Sequence, residues 1–138
     1  MRNTITLTIT SLITIVLSLF HLADDVVKGF EPGGSQNYTG ILIVAVYLFA
    51  TLMLDGRRWA HVIVLIGSIG GAGVPYIHMI GNGMVGPRVV NNGGVFLWVF
   101  TLLALGATAI VSGLLAARGL WTLQTRDRHR AVSAAAAR

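Results

Sequence analysis

The chain has no cysteine. That excludes a disulfide framework, a thiol redox pair, a thiolate zinc site, an iron–sulfur cluster and covalently attached haem. Charge is scarce too. Only 11% of the 138 residues are Asp, Glu, Lys or Arg, against about 25% in a soluble domain of ordinary composition. Too little charge is present to cover a globular surface, which argues against a soluble enzyme, a disordered tail and a nucleic-acid-binding domain.

What the chain has is apolar length: 54% of its residues are hydrophobic and the mean hydropathy is +0.75. A helix crosses about 30 Å of hydrocarbon with about 20 residues, at about 1.5 Å each. Four segments meet or approach that length: residues 5–23, 38–54, 59–80 and 95–117. The first opens with Thr6, Thr8 and Thr10 alternating with Ile5, Leu7 and Ile9, a period that read alone suggests a strand. The apolar run continues to Leu22, and an isolated strand would leave its backbone unpaired in lipid, so a helix is expected. A signal peptide competes for the same segment. The residue three before a cut at Asp24 is His21, which is not small, and retention is expected.

These spans predict an all-α polytopic membrane protein. Residues 1–125 form a single four-helix transmembrane bundle with short loops, and residues 126–138 a basic tail whose alanines extend the last helix weakly. Orientation follows from basic residues flanking the spans. Arg2, Arg57, Arg58, Arg118, Arg126, Arg128, Arg130 and Arg138 fall on one side, and Lys28 and Arg88 on the other. Both termini are therefore expected in the cytoplasm, with Asp24, Asp25 and Glu31 facing outward. The tail can meet anionic headgroups. It lacks aromatic stacking residues and a folded module, so nucleic acid is not an expected partner. In general build the chain resembles the small four-span proteins of bacterial membranes. The resemblance transfers no activity, and a bacterial inner membrane is the expected location.

Between membrane helices, small residues and hydrogen-bonding side chains mark the packed faces. At about 100° per residue, Thr10, Thr14, Ser18, His21, Asp25 and Lys28 fall on one stripe of the first helix. On the third, Gly67 and Gly71 share a face with Pro75 and His78. Gly106 and Gly113 line the fourth, beside Thr101, Thr108 and Ser112, which with Tyr47 and Thr51 are expected to bond between helices. The faces at Gly67/Gly71 and Gly106/Gly113 are candidate docking surfaces for a second copy or a larger membrane complex. Trp59, Trp98 and Trp121 read as headgroup anchors, and His61 as a side chain reaching the interface beside Arg57 and Arg58.

The candidate site lies at the outer end, where His21 and Asp25 of the first helix meet the depth of His78 on the third. Asp24 is placed to accept a hydrogen bond from a ligand, and Asn82, Arg88, Asn91 and Asn92 lie in the covering loop. An imidazole and a carboxylate four residues apart can chelate one cation, and a second imidazole completes the geometry. His21, Asp25 and His78 are thus the candidate metal ligands. Haem held between His21 and His78 is the alternative cofactor. In another reading the pocket belongs to a membrane enzyme acting on a lipid-soluble substrate, and in another the chain is an accessory subunit without activity of its own. The plainest alternative is a self-satisfied network, with His21 on Asp25, Lys28 on Asp24 or Glu31, and His78 on a freed carbonyl. No span carries a charge at its centre, which disfavours a proton-coupled pump, and no loop has the order of a channel filter.

Overall fold

The computed structural model describes residues 2–29, 37–54, 56–79 and 95–137. Within them the chain is helical: α1 (Arg2–Val27), α2 (Tyr38–Met53), α3 (Arg58–Met79) and α4 (Val95–Ala136). No strand occurs among the described residues. The threonine-rich start of α1 is helical because its hydroxyls have partners on their own helix. Thr8, Thr10, Thr14 and Ser18 each donate to the carbonyl four residues back, at 2.8–3.0 Å. A hydroxyl satisfied in this way can face lipid without an unpaired donor.

Three helices, α1, α3 and α4, are long and apolar enough to cross a membrane, whereas α2 is a shorter apolar helix. Its 16 residues rise about 24 Å. At the other extreme, α4 has 42 residues and rises about 63 Å, far beyond the hydrocarbon thickness. The basic segment is helical: α4 continues without a break through Arg126, Arg128 and Arg130 to Ala136.

Each helix packs on the next and α4 returns to α1, so the order around the bundle is α1–α2–α3–α4, with α1 and α3 touching across it. Gly29, at φ +72°, ends α1, and Gly56, also at φ +72°, turns the chain from α2 into α3. A left-handed residue closes a helix most readily when it has no Cβ. The core holds Leu7, Ile15, Tyr47, Val64 and Ala116, with Trp98 and Leu102 forming a second cluster. Outward, Ile5, Ile9, Ile13, Phe20, Ile66 and Phe100 are largely exposed. This apolar exterior is what lipid solvates.

The tightest seam joins α3 to α4. A Cβ added at Gly106 would lie 2.6 Å from Cγ of Pro75, one at Gly113 3.2 Å from Ser68 Cβ, and one at Gly71 3.1 Å from Ala109 Cβ. Gly67 lies instead under the Tyr47 ring, 3.3 Å from where its Cβ would stand. All four glycines read as docking positions therefore pack against helices of the same chain.

Candidate metal centre

Because neighbouring helices run in opposite directions, the C-terminal ends of α1 and α3 and the N-terminal end of α4 lie together. His21 and Asp25 come from α1, His78 from α3 and Trp98 from α4. His21 and Asp25 are each 4% exposed and Trp98 is fully buried. The ligand atoms of His21, Asp25 and His78 all lie within 4.8 Å of one another. Asp25 Oδ2 stands 3.4 Å from His21 Nε2 and 3.5 Å from His78 Nε2. The two imidazole rings are 4.8 Å apart, centre to centre.

These separations exceed the about 2.7–3.2 Å of an N–H···O hydrogen bond. They match two ligands on one ion: donors about 2.0–2.1 Å from a tetrahedral metal stand about 3.3–3.4 Å apart. A porphyrin does not fit between the rings as they stand. Metal–imidazole bonds of about 2 Å on opposite sides of one iron put the ring centres about 6 Å apart, against the 4.8 Å found.

Trp98 orients the carboxylate. Its indole Nε1–H donates to Asp25 Oδ1 at 2.7 Å, which leaves Oδ2 to face the imidazoles. The indole also stacks on His78, with an interplanar angle of 16° and ring centres 5.7 Å apart, and lies 5.6 Å from the His21 ring. Three buried imidazole nitrogens, Nδ1 and Nε2 of His21 and Nδ1 of His78, have no hydrogen-bond partner among the described residues. Neither does the carboxylate have a lysine or arginine: among the described residues its ion-pair contacts are the two histidines. Buried charges are normally paired or bound to metal, and unpaired buried polar atoms are uncommon.

Asp24 lies away from this cluster. Facing a different side of α1, it pairs with Lys28 one turn later, so it accepts from that ammonium and from neither imidazole. Asn82, Arg88, Asn91 and Asn92 lie outside the described residues, as do Glu31 and Asp55. Among the described residues, His78 Nδ1 has no carbonyl partner.

Trp98 is the member of the site that the sequence reading missed, because a tryptophan near a helix end resembles an interfacial anchor. Trp59 and Trp121 are exposed, but Trp98 is in the core. Its register carried the signal: it shares a face with Leu102, Leu105, Ala109, Ser112 and Ala116, all buried. His61 also departs from expectation. It is buried, its Nδ1 is 3.0 Å from the Arg57 carbonyl, and its ring occupies the notch left by Gly119. Thr51, Thr101 and Thr108 bond to their own helices. Among the described residues, side-chain hydrogen bonds between helices are Tyr47–Ser68 at 3.1 Å and Trp98–Asp25 at 2.7 Å, while the Thr14 and Ser112 hydroxyls approach to 3.4 Å.

Below the cluster lies a cavity of about 540 Å³ among α1, α2 and α3, closed on one side by Leu105 of α4. His21, Asp25 and His78 line one end of it, and its walls are otherwise almost wholly apolar. No protein family, curated sequence or solved structure matches the chain.

Proposed function

We propose that the chain is an integral membrane protein that binds one divalent cation of the zinc or iron type through His21 Nε2, Asp25 Oδ2 and His78 Nε2. The observation that carries this reading is the pair of 3.4 and 3.5 Å separations about Asp25 Oδ2, too long for hydrogen bonds and of the length expected between ligands on one ion. Among the described residues no lysine or arginine pairs with this buried carboxylate, and the cation supplies that positive charge. Trp98 holds the carboxylate's other oxygen, the outer-sphere contact that fixes a ligand's orientation. Three protein ligands leave a fourth position open, as in metal sites that bind a further molecule.

The excess of arginine at the opposite end of the bundle supports an orientation with both termini in the cytoplasm and the metal near the outer face, as in a bacterial inner membrane. The test is metal content after purification in detergent without chelators, wild type beside His78→Ala. Near-stoichiometric zinc or iron in the wild type, lost in a variant that keeps its helical circular dichroism, is the expected result. Failure of the wild type to retain or take up either metal would overturn the reading. The cluster would then be a polar network in a structural subunit.

A further inference from the structure

We infer that the cavity beside the triad takes a single-chain, membrane-dissolved lipid bearing one oxygen-containing head group, and that the head group reaches the metal's open position. This inference rests on the metal reading and names the class of molecule the site receives.

Its volume of about 540 Å³ lies within the roughly 300–1,000 Å³ of small-molecule sites. The hydroxyl groups along the walls already have partners within the protein. Thr14 and Ser18 line the cavity, but both hydroxyls donate to carbonyls of α1. Tyr47 also lines it, with its hydroxyl on Ser68. The polar end of the cavity is the triad, where the metal's open position faces a ligand. A polar water-soluble molecule would lose its hydration along such a wall without compensation, whereas an apolar body with its one polar group at the triad end satisfies both regions.

The shape agrees with the chemistry. Ile43 and Ile66 line the cavity and are themselves 60% and 65% exposed, so the mouth lies between α2 and α3 on the apolar flank. A second apolar hollow of about 380 Å³ shares Ile43, Tyr47, Ile66 and Gly67 with the first and continues to Leu42 and Ile63. Together they form an elongated track suited to a chain. Gly70 keeps the wall open, since a Cβ added there would meet nothing within 4 Å.

Cobalt(II) is the probe, because its visible absorption reports the ligands around it. Cobalt-loaded protein in detergent is titrated with acetohydroxamate and with dodecanohydroxamate, in wild type, Gly70→Ala and Gly70→Leu. The two hydroxamates share a metal-binding head and differ in chain length. Partitioning into micelles is the same for all three proteins, so differences between proteins read the cavity. Wild type and Gly70→Ala are expected to favour the long chain equally. In Gly70→Leu that preference falls by about tenfold as the side chain displaces part of the buried chain, while acetohydroxamate affinity stays unchanged. An equal preference in all three proteins overturns the lipid site and leaves the metal site standing. Absence of any cobalt band in the wild type overturns the metal reading and this one with it.

Discussion

Asp25 divides its two oxygens between different tasks, one on the Trp98 indole and the other between two imidazoles. The indole bond matters because a buried carboxylate that can rotate presents no fixed ligand atom. Trp98→Phe keeps the ring packing and removes the donor. Its metal affinity, measured by competition against a chelating dye, is expected to fall about 10–100-fold, the effect of losing an outer-sphere partner. An unchanged affinity would mean that Trp98 only fills space. Asp24 makes the contrast at the same scale: adjacent in sequence, it serves Lys28 on the flank of α1. Asp24→Asn should therefore leave metal stoichiometry intact, as measured by elemental analysis of the purified variant.

At the scale of the helices, the seam between α3 and α4 sets the height at which His78 meets α1. The Pro75 ring occupies the notch at Gly106, where a Cβ would stand 2.6 Å from its Cγ. A proline ring on a helix backbone has little freedom to withdraw. Gly106→Ala is thus expected to destabilise the bundle by about 1–3 kcal/mol through overpacking, visible as a lower melting temperature in detergent. Gly73→Ala is the control on the facing helix, since a Cβ there meets nothing within 4 Å. That variant should be neutral or more stable by up to about 1 kcal/mol, because alanine is the better helix former. Stabilisation by both substitutions would show that helix propensity rather than the Pro75–Gly106 contact governs the seam.

For the whole molecule the distribution of charge is the organising fact. The long α4 carries Arg126, Arg128 and Arg130 toward its C-terminal end, while the His21–Asp25–His78 cluster lies at the opposite end of the bundle. In the orientation proposed from the positive-inside rule, the arginine end is cytoplasmic. With no native cysteine, single substitutions can be labelled directly. Val27 and Val132 are 85% and 69% exposed, near opposite ends. A membrane-impermeant maleimide is expected to label Val27→Cys in intact cells and Val132→Cys only after permeabilisation. The reverse pattern would invert the orientation.

The helical architecture was legible in the order of residues because hydrocarbon leaves few alternatives. A run of about 20 apolar residues must satisfy its backbone internally, and the helix is how a single segment does so. The polar stripe of α1 was legible for the same reason: a fixed angle per residue puts His21 and Asp25 on one face before any partner is known. What the order could not convey was distance between helices. Whether His78 stands beside Asp25 depends on the order around the bundle and on the Pro75–Gly106 seam, both of which involve residues far apart in the chain. The same holds for Trp98, whose composition says interface and whose register says core, and for Asp24, whose neighbour is a ligand candidate although its own side chain faces Lys28. Local physics set the elements and their faces. Only close packing between helices decided which of those faces meet and which polar atoms they leave without a partner.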